Sequence, residues 1–201
     1  MNTAEISAIS RHRIGVDGYG VVTLVIMNAC PLRCRYCLNL FALEGKSTTF
    51  TPESLLERVQ QDNLYFLATG GGVTFGGGEP LLQADFIKSF CSICNPEWNI
   101  NIETSLNVPL DNLKMTVEEA DTLIIDIKDM NNEIYRSYTG MSNGRVVENL
   151  RYLSENGYAG KCLIRLPLIP SFNKEDDVTA SEDILKGMGF TRFNRFKYKE
   201  K

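Results

Sequence analysis

The sequence has a single histidine, a single tryptophan and no apolar run longer than a strand. The longest such run, residues 21–27, is interrupted by Thr23, which excludes a membrane-spanning helix of about 20 residues. Residues 1–15 carry Glu5, Arg11 and Arg13 among small polar side chains, so they read as neither a signal peptide nor an anchor. Basic charge is also short: 21 Lys and Arg stand against 25 Asp and Glu, for a net charge of −4. A chain so balanced lacks the clustered positive surface that nucleic acid requires. No Pro- or Ser-rich linker, internal repeat or low-complexity stretch divides the chain. These absences lead us to expect a single cytoplasmic domain over residues 1–201, with residues 1–20 as an N-terminal leader in which His12 is solvated.

What remains is an ordinary globular composition, 43% hydrophobic and 23% charged, with alternating strand and helix signals. Strands are expected at about 21–28, 72–75, 99–104, 123–128, 162–168 and 192–198. Between them, helices are expected after Thr51, at about 83–94, around 117–120, at 145–155 and at 175–188. Thr51 is the N-cap of the first, with Pro52 at the first helical position and Glu53 facing the positive end of the dipole. Six strand–helix units imply one α/β domain with a parallel sheet.

The six cysteines are better suited to metal or catalytic use than to a disulfide framework, since no export signal accompanies them. Three of them, Cys30, Cys34 and Cys37, fall within the segment CPLRCRYC directly after the first strand. Thiolates at i, i+4 and i+7 on one loop converge on one metal centre. A [4Fe-4S] cluster normally takes four thiolates, so three leave one iron with an open position. A structural zinc ion needs a fourth Cys or His, and Cys91 or Cys94 is available in principle. Both, however, fall on the apolar face of a predicted helix with Phe86, Ile87 and Phe90, where thiols usually act as small hydrophobes. The triplet alone leaves cluster and zinc both open.

A second segment, VTFGGGEP over residues 73–80, follows the second strand. Its glycines allow a close backbone approach to a ligand, and Glu79 offers a charge to an ammonium group. Taken with CxxxCxxC and the aromatic Tyr36 before the last cysteine, this segment resembles the radical S-adenosylmethionine (SAM) superfamily. The resemblance implies an open, partial (β/α)6 barrel with one [4Fe-4S] cluster on Cys30, Cys34 and Cys37. It implies reductive cleavage of SAM, with Tyr36, Gly77, Gly78 and Glu79 among the SAM contacts.

Within that superfamily the chain is most similar to glycyl-radical-enzyme activating enzymes. Arg13 with Asp17-Gly-Tyr-Gly20 resembles their R…DGPG leader, with Tyr19 replacing proline. Glu103-Thr104 resembles their Asp-Thr, Asp126-Ile-Lys128 their Asp-Leu-Lys, and residues 140–143 and 165–173 continue the likeness. The resemblance implies SAM contacts from Thr104, Asp126, Lys128 and Arg165. It implies a monovalent cation held by Glu103, Thr104 and Asp126, a glycyl-radical enzyme as protein substrate, and flavodoxin or ferredoxin as electron donor. Arg165 also suits a structural pairing with an acid. Other compact radical SAM enzymes acting on small molecules or peptides (deazapurine synthases, peptide maturases) are the alternative. A non-catalytic iron–sulfur protein is disfavoured, since a carrier needs no SAM pocket. The family's histidine after the sixth strand is missing, with Lys199 near its place. The chain carries no cysteine-rich insert and stops soon after strand six, which is expected to leave less surface for a protein substrate.

Overall fold

The computed structural model describes residues 2–198. One eight-stranded sheet organises them, in the order β3-β1-β2-β4-β5-β6-β7-β8. In chain order the elements are β1 (Ala4–Ile14), β2 (Val21–Met27), α1 (Leu40–Glu44), β3 (Thr48–Phe50), α2 (Pro52–Val59), α3 (Asn63–Thr69), β4 (Gly72–Gly77), α4 (Ala84–Cys91), β5 (Asn99–Thr104), α5 (Leu110–Thr116), β6 (Thr122–Asp126), α6 (Asn132–Thr139), α7 (Gly144–Glu155), β7 (Cys162–Leu168), α8 (Glu175–Gly187) and β8 (Phe193–Lys197). From β2 to β8 every neighbouring pair is parallel. These are the six strands read from the sequence. The outermost strands, β3 and β8, do not meet, so the sheet is an open, partial barrel.

Alternation along the strands sorts the side chains into two faces. Val73 and Phe75, Ile100 and Ile102, Leu123 and Ile125, and Cys162, Ile164 and Leu166 join the main core, which the helices cover. The positions between them carry Thr74, Gly76, Asn101, Glu103, Asp126 and Arg165, so the opposite face is polar toward the C-terminal ends of the strands. A parallel sheet with a polar inner face holds a site at those ends.

Three local expectations are corrected. Residues 4–14 of the leader form β1, antiparallel to β2, with β3 added at its edge. His12 is not simply solvated: its Nε2 lies 3.0 Å from Asp62 Oδ1 and its ring packs on Tyr65. The helix before β6 is α5, ending at Thr116, and residues 117–119 form a turn. Thr51 does cap α2, accepting the Ser54 N–H in a capping box. The Asp17-Gly-Tyr-Gly20 segment runs under the barrel floor. There the Asp17 carbonyl accepts the Thr74 hydroxyl at 2.6 Å, while the Asp17 carboxylate pairs with Arg13 at 2.6 Å.

Candidate active site

The cysteine loop leaves β2 through Ala29, whose φ of +70° turns the chain sharply. Non-glycine residues held in this region tend to gather where a site needs them. The Ala29 carbonyl accepts the Glu79 N–H at 2.8 Å and the Met27 carbonyl accepts the Gly78 N–H at 3.1 Å. These bonds lay the Gly77-Gly78-Glu79 crest of β4 directly against the start of the loop. The contact tolerates no side chain: a Cβ on Gly77 would stand 2.4 Å from Ile26 Cγ2, and one on Gly78 2.1 Å from the Ala29 carbonyl. On the other side the end of α6 holds the loop. The Arg33 N–H donates to the Thr139 carbonyl at 2.9 Å and the Arg35 N–H to the Tyr138 carbonyl at 3.1 Å.

Cys30, Cys34 and Cys37 open into one cavity with Gly77, Gly78 and Glu79. Its wall continues through Glu103, Thr104, Asp126, Lys128 and Arg165, from the ends of β5, β6 and β7. The empty volume is about 780 Å³ including the open mouth, within the range of small-molecule sites. Burial pushes the Cys30 thiol up to about 12 and raises Cys34 as well; bound metal reverses this preference by deprotonating the thiol. Among the described residues no three such side chains close around a single ion. A four-iron cluster asks for something different, because each thiolate binds a separate iron. The cavity does not include Cys91 or Cys94, which pack half-buried against the core, so they bring no fourth ligand to the loop.

Lys128 and Arg165 bring the positive charge. The Lys128 ammonium lies 2.9 Å from Asp126 Oδ2 and donates to the Tyr198 hydroxyl at 3.2 Å. Burial alone would lower its pKa, but Asp126 raises it well above the usual value. Arg165 pairs with Glu103, stands 4.0 Å from Asp126 Oδ1 and stacks on Phe196. Burial and the Asp126 charge lift Glu103 to about 7 in spite of Arg165. Asp126 also pays a burial penalty, but Lys128 and Arg165 outweigh it and hold its carboxyl below the usual value.

Two expected site residues make contacts with other parts of the chain. Glu79 is 1% exposed. Its Oε1 accepts the Thr104 hydroxyl at 2.6 Å, and its Oε2 accepts the Ser105 N–H and hydroxyl at 2.9 and 2.6 Å. The carboxylate is committed to the β5 crest, not offered to an ammonium. Tyr36 does not line the cavity; its ring packs 6.1 Å from Tyr138 and 5.8 Å from Phe172. The expected cation ligands are likewise engaged elsewhere, Glu103 by Arg165, Thr104 by Glu79 and one oxygen of Asp126 by Lys128. Lys199 lies outside the described residues.

Tyr198, at the end of the last strand, lines the cavity together with Tyr138, which was not expected there. No spacing signal marks Tyr138, which sits inside α6 rather than at a strand end. Its hydroxyl and Asp126 Oδ1 are buried with no hydrogen-bond partner among the described residues. Leaving a buried polar atom unpaired costs about 1–3 kcal/mol. Two such atoms and three thiols around one cavity fit a site built for a metal cluster with a polar cosubstrate.

An open parallel barrel with cysteines and paired charges at its strand ends defines a cofactor-dependent barrel enzyme. The chain belongs to the radical SAM superfamily, whose sequence model matches residues 24–184; enzymes of this family use a [4Fe-4S] cluster and SAM. It is 33% identical over 174 residues to pyruvate formate-lyase 1-activating enzyme of Escherichia coli, covering 81% of this chain and 67% of that one. It is 27% identical over 228 residues to isethionate sulfite-lyase activating enzyme of Oleidesulfovibrio alaskensis, covering 82% and 74%. Among solved structures, Streptococcus suis SuiB bound to S-adenosylmethionine superposes with a TM-score of 0.66 at 17% identity, over 86% of this chain and 39% of that one. That likeness concerns the fold. None of the described helices is long and apolar enough to cross a membrane.

Proposed function

We propose that this chain is an activating enzyme that installs a radical on a glycine of a partner enzyme. The observation that carries the reading is the convergence of the cysteine loop, the Gly77-Gly78 crest and the Lys128/Arg165 pair on one cavity, in a chain similar to activating enzymes over four fifths of its length. When bound, the cluster and SAM supply one-electron cleavage of the sulfonium and hydrogen abstraction.

In this reading Cys30, Cys34 and Cys37 ligate the cluster. The glycine crest, free of side chains, would hold the amino-acid end of SAM. Lys128 and Arg165 receive its carboxylate, exchanging part of their pairing with Asp126 and Glu103 for a charge-assisted contact. The Asp126 oxygen released or already unpaired then serves a monovalent cation beside it. Glu79 acts indirectly, by fixing Thr104 and Ser105. A low-potential one-electron donor, flavodoxin or ferredoxin, reduces the cluster, and the chain works inside the cytoplasm under anaerobic conditions.

The test uses a candidate glycyl-radical partner made with deuterated glycine. Incubation with reduced enzyme and SAM is expected to give a doublet radical signal on the partner and deuterium in 5′-deoxyadenosine. Retention of the label on the partner, with hydrogen exchanged instead at a purified small molecule, would overturn the reading.

A further inference from the structure

The cysteine loop has two sides. Cys30, Leu32, Cys34 and Cys37 line the cavity, whereas Arg33, Arg35 and Tyr36 do not. Those three side chains are exposed, so they form the outer side of the loop. Arg33 and Arg35 flank Cys34 in the chain, and their N–H groups are pinned to the end of α6 by the Thr139 and Tyr138 carbonyls. Met141, two residues beyond the carbonyl that holds Arg33, is exposed as well. Arginine, methionine and tyrosine are among the residues enriched where proteins meet.

The charge on this side is unspent. Neither arginine forms an ion pair among the described residues. Arg33 Nη1 donates to the neutral carbonyls of Cys30 and Leu32 at 2.9 and 3.0 Å, which fixes the guanidinium beside the loop without cancelling its charge. The chain as a whole carries a net charge of −4. It therefore repels an acidic protein at long range, and a local basic face decides where such a protein can approach.

An occupant of this side gains closeness to the cysteines but no way into the cavity. A substrate that gives up a hydrogen atom has to enter the cavity, because the atom passes by contact. An electron needs only a short path, and from here that path is the loop itself. We propose that the outer side of the cysteine loop, centred on Arg33 and Arg35, is the docking face for an acidic one-electron carrier protein. The carrier loses one electron, the oxidised cluster gains it, and no atom changes hands. The proposal rests on the donor step of the reading above and not on its glycine substrate. Absence of a radical on a partner enzyme would end that reading and leave this docking face untouched.

The probe is an acidic flavodoxin, titrated calorimetrically into reconstituted wild type, Arg35→Glu and Arg35→Lys at matched iron content. Wild type is expected to bind, with an affinity that falls as NaCl rises from about 20 to 500 mM, because salt screens exposed charges. Arg35→Glu is expected to weaken binding about fivefold or more, and Arg35→Lys to keep most of it. SAM cleavage driven by limiting flavodoxin should fall in step in Arg35→Glu, while cleavage driven by photoreduced deazaflavin stays at the wild-type level. No binding at low salt, binding indifferent to salt, or equal affinity of wild type and Arg35→Glu overturns the proposal. So does an equal loss of cleavage with both reductants, which would assign Arg35 to holding the loop. Should Arg35→Glu fail to take up a cluster, carbodiimide coupling of flavodoxin carboxylates to Arg35→Lys decides. A cross-link mapped to position 35 is expected, and cross-links confined to other lysines overturn the proposal.

Discussion

Glu79 and Ser105 are joined twice, through the Ser105 N–H at 2.9 Å and its hydroxyl at 2.6 Å, both on the same carboxylate oxygen. The other oxygen holds Thr104. This clasp joins the crest of β4 to the crest of β5 beneath the cavity mouth. Burial pushes the Glu79 carboxyl up, against the pull of its Ser105 and Thr104 hydrogen bonds.

Glu79→Ala is therefore expected to act first on stability. Hydrogen bonds to a charged group are worth about 1.5–3 kcal/mol, and a loss of that order should lower the melting temperature before SAM is added. SAM affinity should fall as a consequence. Calorimetric unfolding with SAM titration checks this: a full loss of SAM binding at unchanged melting temperature would mean that Glu79 touches the ligand instead.

Asp62 is fully buried beneath β1, where it receives Arg11, His12 and the Thr23 hydroxyl. Burial pushes its carboxyl up, but the Arg11 and Thr23 hydrogen bonds outweigh this and leave it below the ordinary aspartate range. A depressed carboxyl contributes stability above its unfolded pKa and loses it as pH falls through the folded one. Asp62→Asn should thus cost about 1.5–3 kcal/mol at pH 7, with the gap to wild type closing below about pH 4. Melting curves from pH 3 to 7 measure it; a gap independent of pH would show that packing, and not charge, holds Arg11, His12 and Thr23 around Asp62.

Lys128→Met keeps the length of the side chain but removes its charge. The expected result is SAM binding weakened about tenfold or more, the size of a lost charge-assisted contact of roughly 1.5–3 kcal/mol, at unchanged iron content. Equilibrium dialysis with labelled SAM supplies the reading. Unchanged affinity would leave Lys128 as only the partner of Asp126.

The six parallel strands were legible because the face that the helices cover carries apolar side chains at alternate positions of β4 to β7, bounded by turn signals. The cysteine loop and glycine crest were legible as spacing. β1 escaped because it lies toward the edge of the sheet, where Glu5, Ser7, Arg11 and Arg13 interrupt the apolar pattern and its exposure rises toward Ile14. With only three residues, two of them exposed, β3 leaves no periodicity to find. The inward turn of Glu79 was not legible either: the motif marks where the carboxylate stands, while the hydroxyls that capture it come from a different strand. Tyr138 is hidden for the same reason, since its value as a site residue depends on α6 meeting the loop of β2.

The central claim is that three cysteines on one loop hold the cluster that cleaves SAM. The direct measurement is 5′-deoxyadenosine formed by anaerobically reconstituted, reduced protein, with iron and sulfide assayed on the same sample. Wild type and the Cys91→Ala, Cys94→Ala and Cys162→Ala variants should bind about four irons and four sulfides and form 5′-deoxyadenosine with methionine. Cys30→Ala, Cys34→Ala and Cys37→Ala should do neither. Retained cleavage in any of these last three, or stoichiometric zinc that depends on Cys91 and Cys94, would contradict the account.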